Sequence, residues 1–291
     1  MGLSLKSIYP DARDDLRAAF LEFVGTIMFL LLGLGGIQAS AFSNAASVAA
    51  AGTPALEVAS INQLLYIAVS MGLSLLVSVW AFYRVTGGAF NPAVSTALLL
   101  VGGIKWTRFV LYCIAQLAGA IVASALLSGL LPGSLAVGTA PAQGVSLVQA
   151  VWIEAFLTAA LVLSVLMLAA EKHKSTAFAP IGIGLTLFAC HLWGVPYTGA
   201  GMNTARSFGP AVIGGFHSTH WVYWVGPFIG SLIATGLYTF LKHIKYAKLN
   251  PDQDTDDHML SPPPPLKRMI SRMSESQVYP KDKADKVSNM V

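Results

Sequence analysis

The residues able to do chemistry are few, and all stand in apolar surroundings. Glu22 and Glu154 lie inside hydrophobic runs, where an ionisable side chain is costly and by default invites a functional explanation; in an ion-coupled transporter the pair would carry protons. Asn91 and Asn203 each precede a short apolar segment, in Asn91-Pro92-Ala93 and Asn203-Thr204-Ala205. Asn there is a helix N-cap: its carbonyl oxygen accepts from local backbone N–H groups while its amide can donate elsewhere. His191 sets a polar ring in a further apolar run, and by itself reads as a hydrogen-bonded core histidine. Arg206 brings a planar fork of donors three residues after Asn203. Cys113 and Cys190 also fall in apolar stretches and read as small core hydrophobes. No disulfide framework, metal cluster, cofactor or enzymatic activity is expected from this set.

The elements that must hold these residues belong to a membrane. Of 291 residues 55% are hydrophobic and 11% charged, against about 25% charged in soluble domains. So few charges cannot cover a water-soluble globule, and a disordered chain is excluded over most of the length. The net charge of +4 is no argument for nucleic acid, since many basic residues flank hydrophobic runs or lie in the polar C-terminal segment. Six stretches approach or exceed the roughly 20 apolar residues a spanning helix needs: Ala18 to Phe42, Leu64 to Tyr83, Phe109 to Leu131, Leu147 to Ala170, Ser175 to Pro196 and Trp221 to Leu241. The first follows Arg13, Asp14, Asp15 and Arg17 without a compelling cleavage site, and is read as a retained span.

With six spans, both termini share a side. That side receives every Lys and Arg except Arg206, so both ends are expected in the cytoplasm and Arg206 is anomalous. Two shorter apolar segments, Ala89 to Gly102 and Met202 to Gly215, reach only half way across a bilayer and read as re-entrant half-helices. Pro92 suits the first helical position, where its missing N–H costs nothing. The halves also echo each other, Glu22 and Thr26 being matched by Glu154 and Thr158. Three spans per half then require the second copy to be inserted upside down, as an inverted repeat. Two half-helices entering from opposite faces imply a lumen where they meet. Each helix start carries about half a positive elementary charge, so cations and protons are opposed there while neutral hydrogen-bonding molecules are favoured.

With Gly87-Gly88-Ala89-Phe90-Asn91-Pro92-Ala93-Val94 and Thr198-Gly199-Ala200-Gly201-Met202-Asn203-Thr204-Ala205-Arg206-Ser207-Phe208-Gly209-Pro210-Ala211 in place, the chain resembles the aquaporins of the major intrinsic protein family over about residues 15–245. The resemblance implies an all-α membrane fold of six transmembrane helices and two re-entrant half-helices. It also implies a second constriction built from Met71, His191, Ala200 and Arg206, with Arg206 opposing cations as in aquaporin-type pores generally. It makes Glu22 and Glu154 braces for the re-entrant loops and a homotetramer the assembly. His191, Ser207, Ala211 and Tyr223-Trp224 resemble the water-selective branch; glycerol channels typically place Gly where His191 stands and Asp just after the Arg.

Three residues depart from the water-channel pattern. Met71 stands for Phe, Ala200 for Cys or Thr, and Thr204 for the second Pro, which removes a rigid ring from the junction. The expected function is a passive water channel that excludes ions and protons. Hydrogen peroxide is a second candidate solute, and a proton-coupled secondary transporter and a junctional protein with a vestigial pore are the readings of other classes. The plasma membrane is the expected location. Residues 1–16 form a cytoplasmic segment, 17–246 the channel domain and 247–291 a disordered cytoplasmic tail in which Ser271 and Ser274 lie near Arg residues that suit phosphorylation.

Overall fold

The structure is a computed structural model and describes residues 12–51 and 60–255. Ser271, Ser274 and most of the expected tail lie outside the described residues.

Six long helices form where the apolar runs predict them. They are α1 (Ala12–Ala51), α2 (Ile61–Phe82), α4 (Trp106–Leu130), α5 (Leu147–Val165), α6 (Ala179–Thr198) and α8 (Val222–His243). Each is long and apolar enough to cross a membrane. Their outer faces are apolar as well, with Phe20, Ile114 and Leu232 all more than half exposed, which suits hydrocarbon rather than water as the surroundings. Two short helices, α3 (Pro92–Leu100) and α7 (Thr204–Gly214), occupy the segments read as re-entrant. No strand occurs among the described residues.

Local chemistry sets the helix ends. Ser60 caps α2 by accepting from the Gln63 N–H, and Ser146 forms a reciprocal capping box with Gln149 at the start of α5. α1 runs past Phe42 to Ala51, beyond the expected span, because the Ala-rich stretch that follows favours helix and holds no Gly or Pro before Gly52. α5 ends in a π-turn, Leu166–Ala170, and a 3₁₀ turn, Lys174–Phe178, leads into α6.

The packing is repeated in the two halves. α1 lies against α2 and α4, as α5 lies against α6 and α8; α2 and α6 meet between the halves; α3 packs on α8 and α7 on α4. Each short helix thus rests on the last long helix of the other half. The matched Glu–Thr pairs have matched neighbours. A Cβ on Gly119 of α4 would stand 3.0 Å from Thr26 Cβ, and one on Gly230 of α8 would stand 2.7 Å from Thr158 Cβ. Small residues at these two crossings let the backbones close up.

This architecture belongs to the unit Met1–Tyr246. The second unit, Ala247–Val291, contributes a 3₁₀ turn at Pro251–Asp254 within the described residues.

Candidate functional site

The two Asn residues head their helices as the sequence predicts. Asn91 Oδ1 accepts from the Ala93 N–H at 2.9 Å, and Asn203 Oδ1 accepts from the N–H groups of Ala205 and Arg206 at 2.9 and 3.2 Å. Their amides also tie the halves together. Asn91 Nδ2 donates to the Met202 carbonyl and Asn203 Nδ2 to the Phe90 carbonyl, both at 2.8 Å. Each amide thus spends one N–H on the facing loop, and its second N–H remains for other acceptors.

The residues that receive those bonds are held in an unusual conformation. Phe90 and Met202, each one residue before an Asn, have φ of 47° and 51°. That left-handed backbone disfavours a side chain by about 1–2 kcal/mol, so something must hold it. Glu22 Oε1 accepts the Phe90 N–H at 2.6 Å and Glu154 Oε2 accepts the Met202 N–H at 2.7 Å. Glu154 Oε1 also accepts from the Gly201 N–H at 2.9 Å and the Thr198 hydroxyl at 2.6 Å. Gln116 on α4 donates to Glu22 Oε1 at 2.9 Å and to Ser95 Oγ at 2.9 Å. Both carboxylates are fully buried and engaged by donors from the loops and their neighbours.

Asn91 and Asn203 border a narrow cavity, which Met71, Leu187 and Arg206 also line. Arg206 is buried; its Nη1 donates to the Val137 carbonyl at 2.7 Å, while its Nε has no hydrogen-bond partner in the protein. His191 is buried one turn beyond Leu187, close enough to Arg206 to interact with its charge. Its Nδ1 pairs with the Leu187 carbonyl at 2.9 Å, so Nδ1 carries the proton and Nε2 is left as an acceptor without a protein partner. Ala200 is buried beside the cavity rather than among the side chains that line it, and its neighbour Gly201 reaches the wall.

Thr204 follows Asn203 at the first position of α7. Besides restoring an N–H, it adds a bond: its hydroxyl donates to the Tyr223 carbonyl of α8 at 3.1 Å. The Tyr223 hydroxyl donates in turn to the Thr198 carbonyl at 2.5 Å. Tyr223 entered the sequence reading only through the resemblance to water channels, and no individual role was assigned there to Thr198, Gln116, Val137, Phe90 or Met202. Gln116 alone carried a signal, as a polar side chain within an apolar span. The others act through backbone atoms or through neighbours that only the fold supplies.

Dipoles meeting head to head, a buried guanidinium and a narrow lumen together oppose cations and leave hydrogen-bonding surface for small uncharged molecules. Among the described residues no cluster of His, Cys, Asp or Glu could hold a metal ion.

Comparison with known proteins agrees with this architecture. Residues 11–238 match the model of the family described as major intrinsic protein. The chain is 60% identical over 261 residues to aquaporin-1 of Laccaria bicolor, covering 89% of this chain and 82% of that protein. It is 47% identical over 249 residues to aquaporin-1 of Gibberella zeae, covering 84% and 76% respectively. Among solved structures, the aquaglyceroporin of Plasmodium falciparum shares the fold with a TM-score of 0.64 at 20% identity, over 81% of this chain and 98% of that one. With six spanning helices, two half-helices meeting at Asn91 and Asn203, and these relatives, the chain belongs to the aquaporin, or major intrinsic protein, family of membrane channels.

Proposed function

We propose that this channel passes water passively and excludes ions and protons. The observation that carries the reading is the reciprocal bonding of Asn91 and Asn203 at a cavity that Arg206 also lines. Two helix starts and a guanidinium place positive potential along one narrow route, which a cation meets at a loss and a water molecule does not. A buried His at residue 191, and a Ser rather than an Asp at residue 207, support water over glycerol. The aquaglyceroporin neighbour is similar at a level that speaks to fold alone.

Glu22 and Glu154 brace the re-entrant loops in this reading. Both oxygens of Glu154 and Oε1 of Glu22 are taken up by loop and side-chain donors, which favours a structural role over proton transport. Asn91, Pro92, Ala93, Asn203, Thr204 and Ala205 form the junction, and Met71, His191, Ala200 and Arg206 the narrower outer ring. Residues 17–246 form the channel domain, both termini face the cytoplasm, and the chain works as a homotetramer in the plasma membrane. Hydrogen peroxide is a second solute, favoured by the adaptable Met71 thioether and the small Ala200.

Water, glycerol and hydrogen peroxide fluxes measured side by side in proteoliposomes test the proposal. Water flux well above that of empty vesicles, with glycerol far slower, supports it. Glycerol flux matching that of water, or water flux at the level of bare lipid, contradicts it.

A further inference from the structure

Gly33 on α1 faces Met71 on α2, and their contact leaves no room for a side chain at residue 33. A Cβ built on Gly33 would stand 2.7 Å from Met71 Sδ, 3.6 Å from Met71 Cε and 2.8 Å from Ser74 Oγ. Both Gly33 and Met71 are buried, and Met71 borders the cavity. The thioether therefore lies in a notch that exists because residue 33 has no Cβ. Phe29, one turn earlier on α1, lines the same cavity, so the notch opens beside the lumen.

We infer that Gly33 is a specificity-determining residue: its bare backbone seats the Met71 thioether back against α1 and so sets how wide the lumen is at that level. The inference rests on the channel reading above and adds a residue outside the ring of Met71, His191, Ala200 and Arg206. The physical step is short. A methyl group at residue 33 takes the space of the sulfur. Ser74 Oγ, which donates to the Met71 carbonyl at 2.9 Å, can turn away about its Cα–Cβ bond. Met71 has three rotatable bonds and moves at little cost. Its near side is filled by α1, and the open space next to it is the lumen. The thioether then projects into the route and excludes the larger of two solutes first.

Plain helix packing also explains a glycine where two helices approach, and the experiment separates the two roles. Wild type, Gly33→Ala, Met71→Ala and the double variant are reconstituted in vesicles, with water flux read by osmotic shrinkage and hydrogen peroxide flux by a trapped peroxide-sensitive dye. Gly33→Ala is expected to lower the peroxide-to-water permeability ratio about tenfold, the low end of what one carbon group is worth in a fitted pocket. In the Met71→Ala background the same substitution is expected to leave the ratio unchanged.

A conducting wild type whose ratio Gly33→Ala does not alter overturns the inference and leaves the channel reading intact. A wild type no more permeable than bare lipid overturns both. If Gly33→Ala fails to reach the membrane, the comparison of Met71→Ala with the double variant decides: an assembled double variant with the ratio of Met71→Ala supports the notch, and a differing ratio or failure of the double variant to assemble overturns it.

Discussion

The Thr204 hydroxyl donates to the Tyr223 carbonyl, and the residue four places on in α8, whose N–H would serve that carbonyl in a regular helix, is Pro227. One missing N–H in α8 is thus answered by one hydroxyl at the start of α7, at the residue following Asn203. Thr204 therefore tethers the start of α7 to α8.

Thr204→Val keeps the shape and removes the donor, leaving a buried carbonyl without it. Stability is expected to fall by about 1–3 kcal/mol, with water flux reduced as Asn203 loses its support. Pro227→Ala restores an N–H to the carbonyl, so Thr204→Val should cost clearly less in that background. Thermal unfolding in detergent of the four proteins of this cycle checks it; equal costs in both backgrounds would separate Thr204 from Pro227.

Glu154→Gln replaces an acceptor-only group with one oxygen and one amide. Three donors converge on that carboxylate, from Thr198, Gly201 and Met202, so at least one then faces the amide. A loss of about 1–3 kcal/mol in stability is expected, together with a marked fall in water flux at every pH. A variant that conducts water normally but abolishes solute accumulation driven by a pH difference would make Glu154 a proton carrier instead.

Arg206→Ala removes the guanidinium from the cavity wall and leaves the Val137 carbonyl without its donor. The glycerol-to-water permeability ratio is expected to rise, and small cations to leak where wild type holds them. Vesicle swelling in glycerol and an ion-sensitive dye read the two effects; unchanged selectivity would place Arg206 outside the constriction.

Glu171 joins the end of α5 to α8. It accepts from Lys242 Nζ at 2.8 Å and from the Tyr238 hydroxyl at 2.6 Å. Partial burial raises its pKa, and the bonds from Lys242 and Tyr238 outweigh that and hold the carboxyl below its ordinary 4.5. A depressed carboxylate stabilises the fold above the unfolded value and loses that contribution as pH falls through the folded one. Half-exposed Lys242 limits the ion pair to less than about 1 kcal/mol. Glu171→Gln should therefore lower the melting temperature slightly at pH 7 and make no difference once the pH lies below the wild-type carboxyl's pKa, as unfolding measured across that range would reveal.

Much of the fold was legible because membrane crossing demands length and apolarity together, and both are properties of sequence. The half-helices were legible for a related reason: Pro92–Leu100 and Thr204–Gly214 are too short to span, too apolar for ordinary loops, and headed by Asn. The Glu22–Thr26 and Glu154–Thr158 echo marked the repeat, and the matching Gly119 and Gly230 crossings appear where small residues stood in the spans. The bonds that join the halves were not legible. The acceptors for Asn91 and Asn203 are backbone carbonyls of Met202 and Phe90, and any residue type has a carbonyl. What makes those two suitable is a left-handed φ held by a distant carboxylate, which depends on how the halves approach. Val137 meets Arg206 in the same anonymous way, and the Gly33 notch exists only once α1 and α2 are packed.

The most direct test of the central claim is the temperature dependence of osmotic water permeability in proteoliposomes, recorded with a trapped pH dye. A low activation energy, permeability well above that of lipid and no proton leak beyond that of empty vesicles are the predicted results. An activation energy equal to that of bare lipid, or proton entry that rises with the amount of protein, would contradict a water route through the Asn91–Asn203 junction.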